Sequence, residues 1–189
     1  ILDEGSVLDI VREALRDDRV EVVLQPIVSL PQRKRRYYEC FSRLSSAEGV
    51  VVVPEQYISL AEREGLMTAI DNLLLFRCIQ LIRRIQRTSQ NVGFFCNVAA
   101  NTIQDEEFFG DFVDYLENNM DLAPNLVFEF SQADIQSMGD VEARLLGRLA
   151  TLGCRISMDR VSDLNIDTDA LTSKHVSFVK IDVALLLTD

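Results

Sequence analysis

A chain of 189 residues, 48% of them hydrophobic and 26% charged, has ample length for one well-packed globular domain. Its formal net charge of −11 argues against non-specific binding to a nucleic-acid backbone, so neither DNA nor RNA is an expected partner. No apolar run reaches the roughly 18 residues that a membrane span needs, and the N-terminus lacks a signal-peptide layout.

The chain opens on an expected helix, with Ser6 as N-cap, Asp9 three residues on, and Val7, Ile10, Val11, Ala14 and Leu15 as its apolar face. VEVVLQPIVSL (20–30) reads as a strand and YYECFSRL (37–44) as a second. The short connection between them implies an antiparallel pair. That connection carries the basic run Arg33, Lys34, Arg35 and Arg36, which follows Pro31 and reads as a solvated turn. PEQYISLAERE (54–64) is a helix with proline at its first position and Gly65 as its stop. A longer helix follows, striped by Met67, Ile70, Leu74, Cys78, Leu81, Ile82 and Ile85.

From there the chain alternates. VGFFCNVAA (92–100) is a strand, and DEEFFGDFVDYLENN (105–119) is a helix with Phe109, Phe112, Val113 and Leu116 on its apolar stripe. NLVFEFS (125–131) is a strand, and VEARLLGRLATLG (141–153) is a helix ending at Gly153. CRISMDRV (154–161) and VSFVKIDVA (176–184) are strands joined by a loop-rich stretch. Strands alternating with crossover helices specify an α/β architecture with a mostly parallel sheet.

Five of these strands carry a polar or ionisable residue expected near the C-terminal end: Glu39, Asn97, Glu129, Asp159 and Lys180. Strand alternation places Glu39, Phe41 and Arg43 on one face and Cys40, Ser42 and Leu44 on the other. In a parallel α/β barrel the C-terminal strand ends converge on one mouth, where active sites sit. Carboxylates cannot crowd together ionised without a cation between them. A Glu, Asn, Glu, Asp oxygen set suits Mg²⁺, Mn²⁺ or Ca²⁺, and such ions grip and polarise phosphate.

The other candidates are bland. Cys40, Cys78, Cys96 and Cys154 are too scattered for a zinc site or a disulfide framework and read as buried reduced thiols. His175 is the chain's only histidine and reads as a loop residue. A lone histidine rules out His-rich metal sites and speaks against a Ser-His-Asp triad.

Taken together, these segments resemble the EAL domain, the bacterial cyclic-di-GMP phosphodiesterase family built on a (β/α)₈ TIM barrel with one strand reversed. LQPIVSL (24–30) is similar to the family's opening strand, and Glu39-Cys40-Phe41 stands where Glu-Ala-Leu gives the family its name. VPEQYISLAEREGLM (53–67), FFCNVAANTI (94–103), LVFEFSQ (126–132), LGCRISMDRVSD (152–163) and VKID (179–182) follow in the family's order across nearly the whole chain. The resemblance implies that Glu39, Asn97, Glu129 and Asp159 correspond to ligands of Mg²⁺ or Mn²⁺. Lys180 corresponds to the lysine that serves the attacking water and the phosphate. Gln25 and Arg43 fall on nucleotide-contacting positions, and Phe41 replaces the motif's leucine beside the ligand. Glu39 would then face a cation and Arg43 a phosphate oxygen.

The departures carry equal weight. Arg160 stands where the family has a second aspartate, which changes the local charge by two units. The following loop reads Val161-Ser162-Asp163-Leu164 and lacks the two glycines of the family pattern. Gln132 replaces a glutamate that steadies this loop. The expectation is loss of two-metal hydrolysis, with Lys180 and Glu39 vestigial as catalytic groups and the metal itself dispensable. The family's last two strands are not found before Asp189, so the domain over 1–189 is expected to be C-terminally incomplete.

The favoured reading is a degenerate EAL domain that senses cyclic-di-GMP and signals to a protein partner, with Arg160 supplying a positive charge to a nucleotide phosphate. The alternatives are an active phosphodiesterase releasing linear pGpG, and an interaction scaffold that binds no nucleotide. Glu39-Cys40-Phe41 and Met158-Asp159-Arg160 are most similar to the TipF-like flagellar regulators, which carry a membrane anchor and a coiled coil upstream. That likeness implies a cytoplasmic module, tethered from outside this chain, with partners in flagellar assembly. The EAL resemblance leaves a homodimer open without implying the usual one, because the loop region through which relatives often dimerise is altered here.

Overall fold

The computed structural model describes residues 2–88 and 92–187, without the side chains of Arg35 and Arg36. The chain divides into two compact units, residues 1–90 and 91–189, each with its own core.

The first unit begins with α1 (Glu4–Arg16), whose buried face is Val7, Ile10, Val11 and Ala14, as the periodicity requires. Its N-cap is Asp3 rather than Ser6. The Asp3 carboxylate accepts the Ser6 backbone N–H at 2.9 Å and the Ser6 hydroxyl at 2.9 Å. A carboxylate at the N-terminus also meets the positive end of the helix dipole, which a serine hydroxyl does not.

Strands β1 (Val20–Ser29) and β2 (Lys34–Ser45) pair antiparallel with Val20 opposite Leu44 and Gln25 opposite Glu39. The turn between them is exposed, and Arg33 takes a left-handed φ of 50° there. Lys34 already belongs to β2, so the basic run straddles turn and strand, and the Arg35 and Arg36 side chains lie outside the described residues. A short strand the sequence reading did not foresee, β3 (Val51–Val52), pairs with the end of β2. Helix α2 (Pro54–Arg63) starts on its proline and stops before Gly65 at φ 69°. Helix α3 (Met67–Gln86) buries Ile70, Leu74, Cys78 and Ile82 at helical spacing and leaves Phe76 on the opposite side exposed.

The second unit is a run of parallel strands in sequence order: β4 (Gly93–Asn97), β5 (Leu126–Ser131), β6 (Arg155–Asp159) and β7 (Val176–Val179). Parallel neighbours need crossovers, supplied by α5 (Glu106–Glu117), α7 (Asp140–Leu152) and the short α8 (Thr168–Ser173). Phe109 and Phe112 of α5 meet Phe128 of β5 with ring centroids 6.3 and 6.1 Å apart, both edge-on. Burying each such ring contributes roughly 1.5–3 kcal/mol. Helix α7 ends on Gly153 at φ 104°, a left-handed cap open to glycine without steric penalty.

Two short helices, α4 (Ala100–Gln104) and α6 (Gln132–Ser137), occupy stretches read from sequence as strand end or loop. A last short helix, α9 (Val183–Leu186), follows β7. Strand β6 stops at Asp159 and β7 at Val179, both earlier than the apolar runs suggested. No helix of the described residues is long and apolar enough to cross a membrane.

Candidate functional site

Within the second unit, four of the sequence-predicted residues gather at the C-terminal ends of the parallel strands. Asn97 is the last residue of β4 and Asp159 the last of β6; Glu129 lies inside β5, and Lys180 just follows β7. Asn97 is the register partner of Glu129, which is in turn the partner of Ser157; one step further along, Ser131 pairs with Asp159. Register partners on adjacent strands share a face, so these side chains form two rows on one side of the sheet.

Glu129 is the centre of the set. Its side chain is 0% exposed and forms an ion pair with Lys180, Nζ to Oε1 at 2.7 Å. Its other oxygen, Oε2, accepts the hydroxyl of the fully buried Ser157 at 2.8 Å. Carboxylate oxygens of Glu129 and Asp159 lie within 4.8 Å of each other. Burial pushes the Glu129 carboxyl up to about 7; the Lys180 ammonium opposes this, and the Asp159 charge adds to it. Lys180 is fixed from three sides: its backbone N–H donates to the Met158 carbonyl at 2.8 Å, its ammonium holds Glu129, and it sits 5.2 Å above the Phe95 ring. Phe95 packs on Phe178 at 5.3 Å, and Arg155 closes that layer 5.5 Å over the Phe178 ring. An aromatic floor therefore carries a charged layer, with Asp159 and Asn97 at the strand ends beside it.

The loop after β6 leaves this site through Arg160, which is exposed and adopts a left-handed φ of 50°. Gln132, at the start of α6 and 4% exposed, anchors the loop. Its Oε1 accepts the backbone N–H groups of Ser162 at 2.9 Å and Asp163 at 3.0 Å, while its Nε2 donates to the Asp163 carbonyl at 2.8 Å. The glutamine thus steadies the loop with both ends of its amide, although the residue type differs from the family's glutamate.

Within the first unit, Gln25, Glu39, Phe41 and Arg43 share one face of the β1–β2 ribbon, with Glu21 opposite Arg43 and Gln25 opposite Glu39. Their exposure alternates as expected: Cys40, Ser42 and Leu44 are buried, whereas Glu39 and Phe41 are half-buried and Arg43 is exposed. One expectation is corrected. Glu39 stands in the middle of β2, not near its C-terminal end, because the strand extends over Lys34–Ser45. Arg43 is engaged by Glu21, Nη2 to Oε2 at 2.6 Å, with side chains 46% and 60% exposed. An exposed pair of this kind is worth about 0–1 kcal/mol, so a phosphate oxygen could displace Glu21 at little cost.

The cysteines are buried thiols outside any disulfide, as expected. The Sγ atoms of Cys40 and Cys78 lie within 4.8 Å, a proximity invisible in their spacing. Burial pushes the Cys154 thiol up to about 12. His175 is exposed at φ 59° and lies over Gly147 in an open surface groove of about 720 Å³, with none of the site residues lining it. Sequence reasoning missed Ser157, Gln132's two-sided anchorage and Glu21. Ser157 was detectable in principle, since it lies two residues before Asp159 and so on the same strand face.

The parallel strands of this α/β domain deliver two carboxylates, an amide side chain and a lysine to one sheet face. The family described as the EAL domain matches residues 8–189, and the chain belongs to it. Among curated relatives, the signaling protein YkoW of Bacillus subtilis is 25% identical over 179 residues, covering 94% of this chain and 22% of its own. The cyclic di-GMP phosphodiesterase NbdA of Pseudomonas aeruginosa is 26% identical over 149 residues, covering 78% of this chain and 19% of its own. The chain thus spans about a fifth of the length of these two relatives. Among solved structures, the FimX EAL domain from Pseudomonas aeruginosa bound to c-di-GMP superposes with a TM-score of 0.79 at 27% identity, covering 95% of this chain and 72% of that one. The apo S helix-GGDEF-EAL structure of Vibrio cholerae LapD shares the fold, with a TM-score of 0.83 at 20% identity over 100% of this chain and 46% of that one. The α/β class expected from strand–helix alternation is the fold of this family.

Proposed function

We propose that the chain is a cyclic-di-GMP receptor module whose hydrolytic chemistry is degenerate, and that it passes nucleotide binding on to a protein partner. The observation that carries the reading is the charge balance of the second unit's site. Glu129 and Asp159 are set against Lys180, which is already on Glu129, and Arg160, which follows Asp159 where the family has a carboxylate. With a second aspartate the same four positions would be net negative and would call for a dication; with Arg160 they are balanced without one.

The carboxylates of Glu129 and Asp159 suit a hard divalent ion, with Asn97 as the register partner of Glu129, and the family pattern adds Asn97 and Glu39 as ligands. If Mg²⁺ or Mn²⁺ binds, it would neutralise phosphate charge and polarise the phosphodiester. The roles proposed for this chain's own residues do not require it. Lys180 presents an ammonium pinned between Glu129 and Phe95, Arg160 adds an exposed guanidinium, and Gln25, Glu39, Phe41 and Arg43 offer the contacts of the first unit. FimX supports the reading as a relative at 27% identity whose EAL domain binds c-di-GMP, and NbdA supports the alternative of an active phosphodiesterase.

One titration separates the readings. Cyclic-di-GMP is added with and without Mn²⁺, and the same sample is assayed for linear product. The receptor reading expects saturable binding in chelator and no turnover. Turnover with metal would establish the phosphodiesterase, and absence of binding in both conditions would leave the scaffold. The flagellar partner follows from the TipF-like resemblance alone and a homodimer from the EAL resemblance; pull-down from a flagellated host and sedimentation test them.

A further inference from the structure

We infer that Ser157 is a positioning residue for the nucleotide site: its hydroxyl holds the Glu129 carboxylate so that Lys180 is presented to a phosphodiester. The inference rests on the proposed function, in which Lys180 meets the nucleotide. Ser157 lies in the middle of β6 and is 0% exposed, so its hydroxyl needs a partner inside the protein. That partner is Glu129 Oε2 at 2.8 Å, its register neighbour on β5. A hydroxyl has a single proton to donate, and donation to Oε2 leaves Oε1 as the oxygen that faces Lys180 at 2.7 Å.

The three groups form a chain, serine to carboxylate to ammonium. The ammonium has three donors and gives one to Glu129, and its position over the Phe95 ring directs it further. Without the hydroxyl, Oε2 loses its hold on the β6 side. The carboxylate is then free to turn about its terminal torsion and to take the ammonium on both oxygens, drawing donors away from a ligand. Asp159 cannot replace the hydroxyl, because a carboxylate has no proton to give Glu129 in its ionised form.

The test compares wild type with Ser157→Ala, Ser157→Cys and Ser157→Thr. Calorimetric titration with cyclic-di-GMP in chelator gives the affinity, and the infrared carboxylate band assigned through Glu129→Gln gives the Glu129 environment without ligand. Ser157→Ala and Ser157→Cys are expected to weaken binding by about tenfold or more, the scale on which removal of an orienting partner acts at other sites. They should also shift the Glu129 band, and Ser157→Thr should restore both readouts. Unchanged affinity in Ser157→Ala with wild type binding normally would overturn the inference and leave the receptor reading standing. If wild type binds no nucleotide, the receptor reading fails, and with it the ligand role of Ser157; an unshifted infrared band would also remove its hold on Glu129.

Discussion

Glu129→Gln turns the burial of one carboxylate into a measurable pH dependence. Burial raises the Glu129 carboxyl from its ordinary 4.5 to about 7, so between these values the folded chain holds a proton that the unfolded chain has released. Stability contributed by that proton is fully present below pH 4.5 and is lost as pH rises through 7. At about 1.4 kcal/mol per pH unit, the span is worth on the order of 3 kcal/mol. Desolvation and the Asp159 charge raise the carboxyl, while the Lys180 ammonium and the Ser157 hydroxyl lower it. Urea unfolding of wild type and Glu129→Gln at pH 5, 6, 7 and 8 isolates the effect. The glutamine removes one titration, so the stability difference between the proteins should move by roughly 3 kcal/mol across the series in favour of the variant at high pH. Removal of the ion pair with Lys180 offsets the two curves without bending either. A difference that stays flat from pH 5 to 8 refutes the reasoning.

Five further substitutions have defined outcomes. Asp3→Ala should cost about 1 kcal/mol of stability in chemical denaturation as a lost N-cap, whereas Ser6→Ala should cost clearly less, which distinguishes the observed cap from the one the sequence suggested. Phe109→Ala, at 0% exposure in the aromatic cluster with Phe112 and Phe128, should cost about 3–5 kcal/mol. Gln132→Ala should speed hydrogen exchange at the Ser162 and Asp163 amides by about tenfold or more, since each is left without its acceptor. Arg160→Ala should weaken cyclic-di-GMP binding in chelator; equal affinity would remove Arg160 from the site.

The sequence disclosed those features that repeat along an element. The stripe of α3, the α5 face around Phe109 and the alternation of Cys40, Ser42 and Leu44 against Glu39, Phe41 and Arg43 are period signals, and they recur in the burial. The parallel run from β4 to β7 followed from strands separated by helices. Features set by a single competing contact were hidden. Asp3 displaced Ser6 as cap because its carboxylate accepts both the Ser6 N–H and the Ser6 hydroxyl, which starts the helix one turn earlier. Helix α6 begins where Ser131 accepts the Asp134 N–H, a local cap inside what read as the end of a strand. The candidate site shows the same division. The positions of Asn97, Glu129 and Asp159 were legible from strand ends, and spacing put Ser157 on the Asp159 face, but the pairings of Ser157 with Glu129 and of Glu21 with Arg43 depend on register between strands.

On the proposed function, ligand grip and chemistry separate along the boundary between β6 and the loop that follows it. Residues up to Asp159 are held in the parallel sheet by hydrogen-bonded register, with Lys180 tied to the same strand through the Met158 carbonyl. Their geometry is set by the fold and survives substitution in the loop. Arg160 is the first residue beyond the sheet, and its φ of 50° carries the chain off in a left-handed step. A side chain here can change sign without disturbing Glu129, Asp159 or Lys180. Replacing a carboxylate by a guanidinium at this one position works against a second cation there, because like charges repel. On the proposed reading, the sheet holds the residues that meet a phosphodiester, and the first loop residue sets whether hydrolysis is compatible with them.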